Sequence, residues 1–169
     1  VQSGEVVVTA SSPVCRFTDP ASVVSGEFAR VSFAGPPSRT GTGNETAPWW
    51  TVDLGARRRL RCNYYAARQD GSSCFPRHWE LQGSEEGGED ESSWITLRRH
   101  AGDATVCRPG AWGSWAVPPP GSERPVRFLR LRLTGPTGGS AEGEDDAGAE
   151  HFHLCSLEFY GLLATAAVA

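Results

Sequence analysis

Short runs in which apolar and polar residues alternate, each closed by glycine or proline, constrain this chain more than any other feature. In Trp79-Glu-Leu-Gln82 two apolar residues alternate with two polar ones, which is the period of a strand with one buried face. A second short strand begins at Trp94, after a glycine-rich turn with acidic residues between positions 85 and 91. The pattern predicts a hairpin with both tryptophans in the core and the acidic tip in solvent.

Glycine and proline punctuate the whole chain, with 20 glycines and 12 prolines among 169 residues. This distribution favours many short strands joined by turns over a helical bundle, and it predicts an all-β sandwich or barrel whose loops carry function. A possible helical turn covers residues 21–24. Besides the hairpin, the predicted strands cover residues 6–9, 28–33, 49–54, 62–66, 115–117, 126–133 and 151–160.

The charge of the chain argues against nucleic acid and membranes as partners. The formal net charge is −4, all 16 basic residues are arginine, and no apolar run approaches the roughly 20 residues that span a bilayer. A cluster of four arginines at 57, 58, 59 and 61 has two interpretations: a surface for an acidic partner or a phosphate, or a solvated turn.

The cysteines predict a reducing compartment. The five cysteines are an odd, scattered set without CxxC spacing, which favours free thiols in an intracellular, cytoplasmic protein over a disulfide framework. The glycosylation sequon at Asn44 points the other way, but this tripeptide matters only in a secreted chain.

No catalytic motif is present, so we predict neither enzyme activity nor a cofactor. The chain has no GxSxG, no HExxH and, without lysine, no phosphate-binding GxxxxGK loop. His151, His153 and Cys155 would share one face of a strand and could in principle hold zinc. The same face continues as apolar residues, so we predict packed side chains and no metal site.

Six segments come in an order that resembles the discoidin (coagulation factor 5/8 type C) domain. Their joint register is specific for a fold, although no single motif would suffice. The segments are Trp49–Gly55, Tyr64–Arg68, Arg77–Ser84, Trp94–Leu97, Arg127–Leu131 and Leu157–Gly161.

The resemblance implies an eight-stranded antiparallel jelly-roll sandwich of the galactose-binding-like type, over residues 1–161, with 162–169 as a tail or linker. Within the family the domain looks most like the intracellular branch attached to plant BTB/POZ proteins and HECT-type ubiquitin ligases, and segments 9–20 and 62–71 look especially like the plant BTB members. Relatives that hold a structural calcium use an Asp-Gly-Asp turn and a glutamate. Here the turn is Ser25-Gly-Glu27, with Glu158 retained, so the oxygen ligands are reduced in number.

The resemblance also implies that loops at one end of the sandwich meet the ligand. Arginine supplies a planar fork for carboxylates, and exposed aromatic rings supply contact area. The alternative is that Arg68 pairs with Asp70 and that Phe75 plugs the end of the barrel. The predicted ligand-binding residues are Arg16, Phe17, Arg68, Asp70, Phe75, Arg77 and Trp112.

The function that this implies is a non-enzymatic module that docks a protein or peptide through its loop end. The module would belong to a larger intracellular protein, such as a ubiquitin-ligase component or scaffold. One alternative is a carbohydrate-binding module of a secreted or cell-surface protein, in which Trp112 or Phe75 stacks on a sugar ring. The other is an architectural subunit of a large cytoskeletal or ciliary assembly.

Overall fold

The computed structural model describes residues 5–37, 47–88, 90–138 and 151–165. These residues contain strands, three short 3-10 helices (Ser22–Val24, Glu91–Ser93 and Gly121–Glu123) and no α-helix. The strands are β1 (Val7–Ala10), β2 (Phe33–Ala34), β3 (Trp49–Asp53), β4 (Arg58–Arg68), β5 (Trp79–Ser84), β6 (Ile95–His100), β7 (Trp112–Ala116), β8 (Pro125–Val126), β9 (Phe128–Leu133), β10 (Phe152–His153) and β11 (Ser156–Thr165).

Two antiparallel sheets pack face to face. One sheet has the order β1-β3-β9-β5-β6, the other has the order β11-β4-β7 with β8 paired to β4, and β10 pairs with β2. Eight of the eleven strands have four or more residues. The all-β, antiparallel sandwich predicted from the sequence is therefore confirmed.

The core lies between the sheets because each strand turns alternate side chains inward. In β9, Leu129, Leu131 and Leu133 are buried in the central cluster, which also contains Trp79 from β5 and Tyr65 from β4. The prediction that Trp79 is a core residue is confirmed. Burial of so many large apolar side chains is the main driving force for this fold.

The predicted hairpin strand is not half exposed, because β5 lies inside its sheet and both of its faces are covered. Glu80 is buried beside Arg99, whose Nε lies 2.7 Å from the carboxylate, and Gln82 accepts a hydrogen bond from Arg130. Trp94 lies over Arg130 on the outer face of this sheet, with 4.1 Å between the ring and the guanidinium carbon. The prediction that Glu80 and Gln82 face solvent is wrong.

Several other predicted strands have different bounds, and two of them differ most. The segment 28–33 is strand only at Phe33–Ala34, and the segment 151–160 is broken between β10 and β11. After the break, β11 continues past Tyr160 to Thr165 and pairs with β4 throughout. The paired strand thus includes part of the predicted tail, whereas the domain boundary itself stays a prediction.

Long connections gather at one end of the sandwich, which we call the loop end. β1, β4, β6 and β9 finish there, and β3, β5, β7 and β11 begin there, as the cross-strand registers require. A hydrogen bond from the indole of Trp50 to the Phe152 carbonyl ties the five-stranded sheet to β10 at this end. The opposite end, which we call the turn end, carries the hairpin tip and the prolines at 118–120.

Candidate functional site

At the loop end, the Arg68 guanidinium lies against two exposed aromatic rings. Its central carbon is 4.7 Å from the centre of the Phe28 ring and 5.7 Å from the centre of the Trp112 ring. Phe28 is 48% exposed and Trp112 is 45% exposed, so both rings are accessible to a ligand. We call Phe28, Arg68 and Trp112 the Arg68 platform.

Strand register and one glycine build this platform. Arg68 and Trp112 are cross-strand partners at the adjoining ends of β4 and β7, which brings their side chains together on one face. Arg68 Nε donates a hydrogen bond to the Gly110 carbonyl at 3.1 Å, which fixes the guanidinium. Gly110 has a φ of +71°, and a Cβ there would lie 3.2 Å from Phe28, so the turn also seats that ring.

The two terminal nitrogens of Arg68 have no acceptor among the described residues. The predicted alternative, an ion pair with Asp70, is not formed, because Asp70 is fully buried and bonded elsewhere. The platform therefore offers a fixed cation with free donors between two rings. This combination suits a carboxylate, a carbonyl or a ring face.

Asp70 holds the loop that follows β4. Its carboxylate lies 3.0 Å from His153 Nδ1, and it accepts hydrogen bonds from the Ser32 amide and from Ser72. Burial alone would raise the pKa of Asp70, but these hydrogen bonds outweigh burial and hold the pKa below its usual value. Asp70 was predicted to touch the ligand; its position gives it a structural role instead.

The Asp70 cluster does not have the arrangement of a catalytic relay. Ser72 Oγ lies 3.1 Å from His153 Nδ1, the same nitrogen that faces Asp70. A nucleophile and an orienting carboxylate need opposite nitrogens of the imidazole. The geometry instead ties the β4 loop to β10.

Phe75 and Arg77, both predicted ligand contacts, differ in accessibility. Phe75 is 3% exposed, and its backbone pairs with Gly138 at the loop end. This matches the predicted alternative, in which Phe75 closes the end of the barrel. Arg77 is half-buried, and its aliphatic stem lies where a Cβ on Gly138 would otherwise be.

Arg16 and Phe17 form a second exposed contact at the loop end. The Arg16 guanidinium carbon is 5.0 Å from the centre of the Phe17 ring, and Phe17 stacks on Phe33 at 6.2 Å. A tight turn with paired backbone groups of Cys15 and Thr18 presents them to solvent. Among the predicted site residues, the structure therefore places Arg68 against Trp112 and Arg16 against Phe17.

Sequence analysis missed two features of this region. Phe28 completes the platform, but a single phenylalanine in a polar loop gives no signal of its partner 40 residues away. The second is a buried chain in which Tyr65 Oη lies 2.5 Å from His100 Nε2 and His100 Nδ1 lies 2.7 Å from Asp103. Tyr65 and His100 are almost fully buried, so this chain supports the core.

The remaining candidates do not converge on a metal. Among the described residues, no group of three or more histidine, cysteine or acidic side chains could hold an ion, and this covers Glu27, Glu158 and the His151–Cys155 segment. None of the five cysteines forms a disulfide. No helix in the described part of the chain is long and apolar enough to cross a membrane. Asn44 of the sequon lies outside the described residues.

Comparison with known proteins identifies relatives in sequence and in fold. A BTB/POZ domain-containing protein of Arabidopsis thaliana is 42% identical over 161 residues, which cover 95% of this chain and 18% of the relative. Thus the chain spans less than a fifth of that protein.

Solved structures of similar fold include CBM62 from Clostridium thermocellum Xyl5A, with a TM-score of 0.60, 18% identity and 96% of each chain covered. Chitosan-binding module 1 of a Paenibacillus sp. IK-5 chitosanase/glucanase has a TM-score of 0.57 at 15% identity, with 92% of this chain and 94% of that chain covered.

The family itself follows from the sequence match. The F5/8 type C domain model matches residues 8–143, which include most of both sheets and the whole Arg68 platform. The resemblance found in the sequence is thereby confirmed, and the relative from Arabidopsis supports the association with plant BTB proteins. This chain belongs to the F5/8 type C (discoidin) domain family.

Proposed function

We propose that this domain is a non-enzymatic docking module, and that it binds a protein or peptide partner on the Arg68 platform. The observation that carries the proposal is the fixed Arg68 guanidinium, which lies between two half-exposed rings and whose terminal nitrogens bond to no described residue. Arginine and tryptophan are enriched among the residues that dominate protein interfaces. A held guanidinium also loses little side-chain entropy on binding.

The proposed setting is a larger intracellular protein, as a component or scaffold of a ubiquitin ligase. The 42% identity to a BTB/POZ domain-containing protein supports this setting, and so does the lack of a disulfide among the five cysteines. In such a protein the domain would select a client, and catalytic steps would belong to other parts of the assembly.

The test is affinity capture from a lysate of cells that express the protein, with quantitative mass spectrometry of the bound proteins. Arg68→Ala and Trp112→Ala should each reduce the captured partner by about tenfold, because each removes one central contact of the interface. Arg124→Ala removes an exposed arginine at the turn end and serves as the control for charge. An unchanged set of partners with both platform variants would refute the site assignment.

Carbohydrate binding is a second candidate, favoured by the exposed face of Trp112. Aromatic faces stack on sugar rings, and one structural neighbour of similar fold is a chitosan-binding module. Glycan-array screening separates the two proposals. Binding to a defined glycan that is lost in Trp112→Ala, without any captured protein, would replace docking by sugar recognition.

A further inference from the structure

Within the described part of the chain, the strand β11 forms an edge of its sheet, because β4 is its neighbour on one side and no described strand pairs with the other. No described residue forms a backbone hydrogen bond to the outer side of β11. The segment Tyr160–Thr165 is exposed along its whole length. Its outward backbone donors and acceptors therefore have no partner among the described residues.

This edge carries a bulge between Tyr160 and Gly161, but it lacks the other features that usually protect an edge strand. Proteins cover such edges, or place charged residues or proline in them, to prevent pairing with other chains. Tyr160-Gly-Leu-Leu-Ala-Thr165 has no charge and no proline, and its leucines are 65% and 50% exposed. An edge of this composition is a template for an added strand.

The two faces beside this edge differ in chemistry. Leu163 is the cross-strand partner of the buried Leu60, so its side chain continues the apolar inner face. Leu162 is the partner of Arg61, and Ala164 is the partner of Arg59, so the outer face is basic.

Arg61 is the arginine on the outer face whose charge is not neutralised by a described residue. Its exposed side chain has no partner among the described residues. Arg59 approaches Glu85 only at 3.9 Å, so that pair is loose. On the outer side of β11, no acidic group of the described chain pairs with Arg61.

We propose that the Tyr160–Thr165 edge binds an extended peptide segment in which aliphatic and acidic residues alternate. Backbone pairing supplies the affinity, as in other cases where a peptide adds a strand to a sheet. Alternation places aliphatic residues beside Leu163 on the inner face and acidic residues on the face of Arg61. A strand added to β11 lies roughly 10 Å from β4, a gap that arginine and glutamate side chains together span.

This surface is independent of the Arg68 platform. Arg68 lies at the loop end of β4, whereas Arg58, Arg59 and Arg61 lie at its turn end and pair with the last residues of β11. The domain can therefore hold two ligands at once, and each proposal can fail without the other.

The probe is a fluorescein-labelled synthetic peptide in which valine and glutamate alternate, titrated with the 169-residue chain by fluorescence anisotropy. Arg61→Ala should weaken binding by roughly two- to fivefold, the factor for one exposed charge pair. Leu162→Glu should weaken it by roughly an order of magnitude, because it places a negative charge on the face that meets the acidic residues of the peptide. Arg108→Ala, an exposed arginine at the loop end, should leave the affinity unchanged.

Amide hydrogen exchange by NMR supplies the readout specific to strand addition. In the complex, amides of residues 161–165 should gain protection, whereas those around Arg68 and Trp112 should not. Equal affinity for a valine–lysine peptide, no binding, or protection confined to other strands would overturn the proposal. Protection that rises with protein concentration without peptide would also overturn it, since a second copy of the chain would then be the occupant.

Discussion

Gly161 shows how one residue sets the geometry of a long strand. A bulge lies between Tyr160 and Gly161, where the register of β11 against β4 shifts by one residue. Gly161 has a φ of +153°, and a Cβ at this position would lie 2.0 Å from the Arg61 carbonyl oxygen. The bulge turns both Asn63 and Tyr64 of β4 toward solvent and re-aims the leucines that follow.

We expect Gly161→Ala to lower the free energy of unfolding by about 1–3 kcal/mol, because the added methyl group overlaps backbone that cannot move independently. Urea denaturation measures this change. Gly102→Ala is the matched control, since Gly102 has a φ of +64° but open space where a Cβ would lie. Similar losses for the two variants would contradict a steric cause and leave only backbone strain.

At the residue scale, burial also divides the predicted site residues. Arg68 and Trp112 remain at the surface because their aromatic and carbonyl partners hold them there. Asp70 is buried because Ser32 and His153 satisfy its oxygens, and His153 is 83 residues away in sequence. Sequence analysis could identify the loop and the residue types, but not partners so distant along the chain.

At the element scale, strands were predicted best where alternation involves large apolar side chains. The inward leucines of β9 made that strand recognisable, and β3 was found with nearly correct bounds. In β5 the same alternation gave a false exposed face, because the buried arginine Arg130 pairs with Gln82 and Glu91 there. A sequence pattern gives the polarity of each side chain, whereas its exposure depends on which other residues pack on that face of the sheet.

The chain from Tyr65 through His100 to Asp103 joins β4, β6 and the loop after β6. The Trp79 indole donates a hydrogen bond to Tyr65 Oη, and the two ring nitrogens of His100 lie within hydrogen-bond distance of Tyr65 Oη and of the Asp103 carboxylate. Burial lowers the pKa of His100, and this exceeds the opposite effect of Asp103.

The lowered pKa of His100 predicts a loss of stability in mild acid. The unfolded chain binds the proton near pH 6.5 and the folded chain only at lower pH, so the contribution is complete above pH 6.5. It declines as pH falls from there toward the folded pKa, by at most about 1.4 kcal/mol per pH unit. Denaturation between pH 7.5 and 5 measures the slope, which His100→Asn should reduce.

An NMR titration of the folded protein checks the same prediction without unfolding. The midpoint of the His100 ring titration should lie below the ordinary histidine value, because burial lowers its pKa. A His100 ring that is already protonated at pH 6.5 would contradict the assignment.

At the scale of the whole molecule, the cysteines differ in exposure according to where they lie in the sandwich. Cys15 and Cys107 are exposed, whereas Cys62 and Cys155 are buried in β4 and before β11. A hydrogen bond from the Phe17 amide is the main cause that lowers the pKa of the Cys15 thiol, and burial raises the pKa of Cys62 to about 11. Accessible thiolates react first with disulfide reagents.

Thiol titration should therefore show two fast-reacting groups in the native protein and five after denaturation. Cys15→Ser should remove the faster of the two, and half-buried Cys74 should react at an intermediate rate. Fewer than five thiols after denaturation would reveal a disulfide and would favour the secreted, sugar-binding alternative.

The strand registers place both ends of the described chain at the turn end. Val7 pairs with Asp53 at the start of β1, and Thr165 pairs with Arg58 at the end of β11, on either side of one short turn. In a longer polypeptide, such as the relative of which this chain spans 18%, neighbouring domains would attach there. The Arg68 platform lies at the opposite end of the sandwich, so a domain attached at the turn end would leave it accessible to a ligand.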